Sequence, residues 1–282
     1  MTEWIWINGE VIPLSEATVS IEDRGFQFAD GVYEVIRLYN GRPFTLDQHL
    51  ARLERSARGI EIVPPMSATQ LKSEIGKLLS RASLHDGMIY LQLTRGVAPR
   101  NHIFPQTKPT LLFYARELPP MPEIDRCEPV KLRTVVDERW KRCWVKSIAL
   151  LPNVLAKNYA VANGADEAVF TEYDCVTECS ASNLFAIIGK ELITHPVGPK
   201  VLPGITRMLL LDIAAAVGLK PVERPLTESE AETADELFIT STTREIAWVS
   251  HWNGKPVSPG HYGEKSKKLH AILRDKIARE TA

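Results

Sequence analysis

The segment Leu118-Pro-Pro-Met-Pro122 constrains the fold more than any other stretch of this chain. Three prolines in five residues fix φ and remove backbone donors, so no helix or central strand runs through them. The break divides the 282 residues into 1–118 and 126–282, with 119–125 as a linker. Either part is long enough to bury its own core, so two domains are expected, the second the larger. There are no internal repeats and no low-complexity tracts.

Ahead of the break, Trp4-Ile-Trp-Ile7 and Glu10-Val-Ile12 flank Asn8-Gly9, a strong hairpin pattern. A second hairpin runs along Val32–Tyr39 and turns at Asn40-Gly41. Alternation puts Tyr33, Val35, Arg37 and Tyr39 on one face and Val32, Glu34, Ile36 and Leu38 on the other. A face carrying Tyr33 and Arg37 suits either a pocket or half-solvated sheet. Thr45-Leu-Asp-Gln48 fits a capping box ahead of a helix with Leu46, Leu50, Leu53 and Ala57 at helical spacing. A second amphipathic helix is expected over Ala68–Ala82, then strands over Met88–Thr94 and Pro109–Ala115. Between these strands, Arg100 and His102 lie in a loop stiffened by Pro99 and Pro105. A guanidinium beside an imidazole suits a carboxylate, although a solvated basic loop would look similar.

Beyond the break, Lys146 lies inside the apolar run Trp140–Leu151. An ammonium among Trp144, Val145, Ile148 and Leu150 is poorly hydrated, which favours the free amine that attacks carbonyls. The competing reading is a lysine that snorkels to water. A helix is expected around Asn153–Asn163, and strands over Val130–Val136, Glu167–Thr171 and Asn183–Ile188. Glu178 sits among small hydroxylic residues just before a buried strand, where a carboxylate requires a partner. Pro203-Gly204 opens a helix that stops at Gly218, leaving the Ile205 and Thr206 amides at a helix N-terminus, an anion site of modest specificity. A strand from Glu236 ends in Thr240-Ser-Thr-Thr243, whose hydroxyls suit either caps or phosphate oxygens.

Composition removes several function classes. Lysine plus arginine number 34 against 35 acidic residues, so no global field favours nucleic acid or anionic membrane. No apolar run approaches the roughly 20 residues of a membrane span. The four cysteines lack Cys-x-x-Cys spacing and a histidine cluster, so no metal site is expected. Scattered thiols, and an N-terminus without the pattern of a signal peptide, point to a soluble cytoplasmic protein. Neither a Gly-x-Gly-x-x-Gly nor a Walker A loop occurs.

A desolvated lysine, a buried carboxylate, two phosphate cradles and an arginine-histidine loop match the needs of pyridoxal 5'-phosphate. Its aldehyde takes an amine, its ring nitrogen an acid, and its phosphate amides and hydroxyls. The motifs Asp30-Gly-Val-Tyr-Glu-Val, His49-Leu-Ala-Arg-Leu, Thr94-Arg-Gly-Val-Ala-Pro-Arg-Asn-His, Arg139-Trp-Lys-Arg-Cys-Trp-Val-Lys-Ser, Val176-Thr-Glu, Pro203-Gly-Ile-Thr-Arg and Thr240-Ser-Thr-Thr cover nearly the whole chain. Through them the chain resembles the fold-type IV pyridoxal phosphate enzymes, and most closely the D-amino acid aminotransferases. The resemblance implies an α/β (α+β) chain: a small N-terminal α/β domain, a larger C-terminal domain with a β-barrel-like core, the cofactor between them, and a homodimer.

Carried over residue by residue, the resemblance makes Lys146 the Schiff-base lysine, with Lys157 a rival expected in solvent. It places Glu178 on the pyridine nitrogen and Arg52, Ile205, Thr206 and Thr242 on the phosphate. Tyr33, Arg100 and His102 would take the substrate carboxylate, the Arg-x-His loop coming from the neighbouring subunit. The implied reaction moves an amino group between a D-amino acid such as D-alanine and a 2-oxo acid such as 2-oxoglutarate. The side chosen for the carboxylate fixes the enantiomer. Related alternatives are branched-chain L-aminotransferases, (R)-amine transaminases and aminodeoxychorismate lyases. The branched-chain enzymes lack the Arg-x-His motif and carry glycine where Val35 stands, whereas Arg37 is more typical of them. Cys179 and Ala181 depart from a segment richer in glycine and serine among D-specific enzymes, which bears on rate and side-chain tolerance.

Overall fold

Two Asn-Gly turns set the first sheet. Asn8 and Asn40 have φ of 48° and 51°, and Gly9 and Gly41 of 112° and 74°. Positive φ at both central residues is what a tight hairpin with twisted strands requires. The computed structural model describes residues 3–257 and 259–282. They form two units: the chain through Pro120 with Val145–Ala149 and Glu280–Ala282, and Met121–Trp144 with Leu150–Arg279. Val145–Ala149, and Lys146 with it, therefore clusters with the first unit, although the segments before and after it in sequence belong to the second.

The first unit contains β1 (Trp4–Ile7), β2 (Glu10–Pro13), α1 (Arg24–Phe28), β3 (Gly31–Tyr39), β4 (Arg42–Pro43), α2 (Leu46–Gly59), α3 (Ala68–Ala82), β5 (Gly87–Thr94) and β6 (Thr110–Glu117). Its sheet runs β2-β1-β6-β5-β3-β4, with every pairing antiparallel. Val32, Ile36 and Leu38 of β3 are buried, as are Ile89, Leu91, Leu50 and Leu78 of the neighbouring elements. The expected capping box at Thr45 does not form. Thr45 has φ 54° and its hydroxyl donates to the Phe44 carbonyl, so it cannot reach the helix amides. A capping box forms instead at α3, between Ser67 and Gln70.

The second unit contains β7 (Val130–Val136), α4 (Leu151–Ala162), β8 (Glu167–Glu172), β9 (Cys175–Cys179), β10 (Asn183–Ile188), β11 (Glu191–Thr194), α5 (Ile205–Ile213), β12 (Lys220–Glu223), β13 (Leu226–Thr227), α6 (Glu228–Thr233), β14 (Glu236–Ser241), β15 (Glu245–Trp252), β16 (Lys255–Pro256) and α7 (Glu264–Glu280). Its sheet follows β12-β11-β10-β14-β15-β7-β8-β9-β13, with β16 on β15. The β9–β10 connection is closed by the Cys179 amide on the Ser182 carbonyl, so the strip from β10 round to β9 curls into a half-barrel. Leu132, Val169, Val176, Leu184 and Ile239 are buried in its core. Glu178 lies on β9, a strand ahead of the buried one that the sequence marks at Asn183–Ile188. No helix among the described residues is long and apolar enough to cross a membrane.

Candidate active site

The two faces of β3 do different work. Glu34 is fully buried and accepts three hydrogen bonds of 2.7 Å, from Arg52 Nε, Arg52 Nη2 and His49 Nδ1. Burial alone would raise its carboxyl, but the Arg52 guanidinium and His49 outweigh that and bring it down to about 2. Burial lowers His49 from its ordinary value, against the pull of Glu34, so the ring is neutral with its proton on Nδ1. Arg52 and His49 are three apart on α2 and so share one face of it. The pair to Glu34 thus fixes the guanidinium plane of Arg52.

The opposite face presents Tyr33. Its ring lies 4.1 Å from Lys146 Nζ and stacks on Tyr90, which stacks on Tyr114. Lys146 is half-buried, less enclosed than its apolar neighbours suggest, because Val145 and Ser147 turn inward on either side of it. Its main chain is tied at both ends: the amide donates to Ser56 Oγ and the carbonyl accepts from the Tyr33 amide. Arg37, also on the Tyr33 face, donates to the Pro119 carbonyl and lies against Tyr39. Lys157 is spent elsewhere, on the Asp166 carbonyl and the Glu167 carboxylate.

Arg100 and His102 are exposed, and both rest on Phe28 at the end of α1, with centroid distances of 4.4 and 5.5 Å. Asn101 between them is held by Arg24, which pairs with Asp30. Arg95 also pairs with Asp30, bidentately, and so braces the base of the loop. Neither Arg100 nor His102 makes a described hydrogen bond, ion pair or ring contact with Tyr33 or Lys146. The structure thus brings Arg100 and His102 together on Phe28.

In the second unit, Glu178 accepts from Arg139 at 2.5 Å, from Asn183 Nδ2 at 3.0 Å and from the Leu202 amide at 3.0 Å. Asn183 also donates to the Leu202 carbonyl, and its oxygen would stand 2.0 Å from any Cβ at Gly204. Only glycine lets that loop approach so closely. The loop delivers the N-terminus of α5, where Ile205 and Thr206 begin the helix and no side chain caps it. Asn183 pairs with Thr240 across β10 and β14, so the same residue places the hydroxyl run at the end of β14. Thr240 Oγ1 is buried without a partner among the described residues, and Thr242 follows in the half-buried turn. Cys179 is fully buried, its thiol pushed up by that burial, while Ser180 and the Ala181 amide bind Glu167.

The sequence does not single out Glu34, His49, Arg139 or Asn183 as partners. Glu34 alone carries a visible signal, a carboxylate on an otherwise apolar strand face. No group of His, Cys, Asp or Glu among the described residues could hold a metal ion.

Residues 31–252 match the model of the family described as amino-transferase class IV. A D-alanine aminotransferase of Listeria monocytogenes serotype 1/2a (strain 10403S) is 42% identical over 279 residues, covering 98% of this chain and 96% of that protein. That of Bacillus licheniformis is 41% identical, covering 99% and 98%. A crystal structure of a T.th. branched-chain amino acid aminotransferase with pyridoxamine 5'-phosphate superposes with a TM-score of 0.90 at 25% identity, covering 98% of this chain and 94% of that one. The half-barrel unit and the mixed α/β organisation are thus those of fold-type IV aminotransferases, and the chain belongs to the class IV aminotransferase family.

Proposed function

We infer that this chain is a pyridoxal 5'-phosphate-dependent aminotransferase that moves an amino group between a D-amino acid, such as D-alanine, and a 2-oxo acid. One observation carries the reading: 42% identity to a D-alanine aminotransferase along nearly the whole chain, against 25% to the branched-chain enzyme of the same fold. The chain's own groups fit the cofactor. Glu178 is a buried carboxylate already fixed by Arg139 and Asn183, suited to a protonated ring nitrogen. The uncapped start of α5 and the partnerless Thr240 hydroxyl suit a phosphate.

When bound, pyridoxal phosphate supplies an aldehyde that takes up the amino group and a cationic ring that accepts electrons from the substrate Cα. Lys146 Nζ is the amine that would hold it and the base that would move the substrate Cα proton. Glu178 keeps the ring nitrogen protonated. Arg52, Ile205, Thr206 and Thr242 bind the phosphate. Tyr33, Arg100 and His102 bind the substrate carboxylate, and fixing it on one side of the Cα–proton axis selects the D antipode. Arg100 and His102 act from a second copy of the chain, so the working form is a cytoplasmic homodimer. The exposure of Ile21, Phe26, Ile103 and Phe104 beside that loop supports such an interface. Absorbance of the purified protein tests the whole: D-alanine should change it and L-alanine should not, and the reverse pattern would overturn the assignment.

A further inference from the structure

The turn between β14 and β15 contains a residue of the wrong kind. Ser241 and Glu245 pair across it, leaving Thr242, Thr243 and Arg244 as a three-residue loop. Left-handed positions at such turns favour glycine, the residue that adopts that conformation without cost. Here the position is Glu245, at φ 55°. A non-glycine residue there carries a conformational cost that its surroundings must offset.

The surroundings are supplied by α7. Glu245 is buried, and its Oε2 accepts from His270 Nε2 at 2.6 Å and from Arg274 Nε at 2.8 Å. His270, itself fully buried, is oriented in turn by the Tyr262 hydroxyl, 2.7 Å from Nδ1. Burial holds the Tyr262 phenol above its ordinary value, so it donates, Nδ1 accepts and Nε2–H faces the carboxylate. Tyr262 is fixed by stacking on Trp248. One residue before Glu245, Arg244 reaches Glu167. The turn is gripped at Arg244 and Glu245, and Thr242 lies in the same three-residue loop.

We propose that Glu245, clamped by His270 and Arg274 of the C-terminal helix, is a positioning residue that holds Thr242 toward the cofactor phosphate, so that α7 sets how tightly the cofactor is retained. The clamp rests on the reading that Thr242 is a phosphate ligand. None of its four side chains is among the groups assigned to the substrate, so it acts on retention and not on the chemical step.

The test is the rate at which the holoenzyme loses pyridoxal phosphate into a trap, followed by absorbance for the native chain, Thr242→Ala, His270→Leu (which removes the donor to Glu245) and the double variant. Each single change should speed loss by about tenfold, the worth of one charge-assisted or phosphate hydrogen bond. The double should be no faster than either single, because both remove the same contact. Pyridoxal, which lacks the phosphate, should dissociate equally fast from all four proteins, an outcome that general loosening of the fold would not give. Loss unchanged by His270→Leu, or a double variant near one hundredfold, sinks the clamp while leaving Thr242 a ligand. Loss unchanged by Thr242→Ala sinks the ligand assignment itself. Should His270→Leu not fold, Tyr262→Phe carries the test: it removes only the hydroxyl that orients His270, and loss about threefold faster is expected, whereas an unchanged rate overturns the proposal.

Discussion

Glu34 offers the sharpest test of how the first unit is held. Its carboxylate is fully buried, and the Arg52 guanidinium it pairs with is only 4% exposed. The fall of the Glu34 carboxyl from 4.5 to about 2 corresponds to roughly 3 kcal/mol favouring the ionised, paired form. Removing one partner costs more than losing that attraction, because it leaves the other charge buried and uncompensated, about 3–5 kcal/mol. Glu34→Ala should therefore lower the unfolding free energy by about 3–5 kcal/mol, a large share of the roughly 5–15 kcal/mol of a typical domain. In a thermal scan this is a fall of roughly 6–12 °C. Replacing both partners by apolar residues, Glu34→Leu with Arg52→Met, removes both desolvation penalties and should recover most of the loss in urea titrations. The same double variant should still retain cofactor poorly, since the proposed phosphate arginine is gone. The argument fails if Glu34→Ala costs under about 1 kcal/mol, or if the double variant is no more stable than the single.

Other outcomes follow from the same geometry. Lys146→Ala should abolish turnover, and borohydride reduction followed by peptide mapping should place the pyridoxyl tag on residue 146; a tag on Lys157 would reverse the assignment. Arg100→Ala should lower kcat/KM for D-alanine by about 10- to 150-fold, the loss of a charge-assisted contact of roughly 1.5–3 kcal/mol, and an unchanged value would take the loop out of the substrate site. Glu34 and Glu245 are both depressed to about 2 when folded, so the stability they contribute is complete above about 4.5 and is lost as pH falls towards 2. Acid titrations of stability should therefore steepen in that window, and Glu34→Gln should flatten the curve there; identical slopes would refute the linkage.

Both Asn-Gly hairpins, strands β5 to β8, β10 and β14 and helices α2 to α5 are legible because their residues answer to local rules, such as period-2 alternation along Val32–Tyr39 and helical spacing after Leu46, whereas β9, β11 to β13, β15, α1, α6 and α7 are not. Thr45 misled because a capping box is a pattern of side chains, whereas the cap depends on φ, and Thr45 is left-handed. The candidate lysine and carboxylate were found from their unfavourable placement in apolar sequence. Their partners were not. Asn183 lies 5 residues beyond Glu178 and Arg139 lies 39 before it, and only the curl of the half-barrel converts those separations into hydrogen bonds. Nothing local in the sequence sets Arg52 apart from a solvated helix arginine, because the carboxylate that buries it is 18 residues away on a strand.

The position of Lys146 follows from an incomplete edge. β5 covers one side of β3 along its length, but β4 has two residues and pairs only with Leu38 and Tyr39. The polar backbone at Gly31–Tyr33 is thereby left to find other partners, and buried amides and carbonyls do not stay unpaired. Val145–Ala149 supplies them: Tyr33 donates to the Lys146 carbonyl, Ile148 donates to the Gly31 carbonyl, and Val32 bridges Ser147. Gly31 is needed at the start of that edge, since a Cβ there would come within 2.7 Å of the Leu93 carbonyl and 3.0 Å of Ile148. Alternation then does the rest. With the backbone of Lys146 paired to that of Tyr33, the side chain that follows Tyr33, Glu34, must point the opposite way, into the Arg52 and His49 pair. A slip of one residue would put Glu34 against the Lys146 ammonium and Tyr33 into the buried arginine. The interactions that fix the register of this strand are thus the same ones that place the amine, and neither can be altered alone.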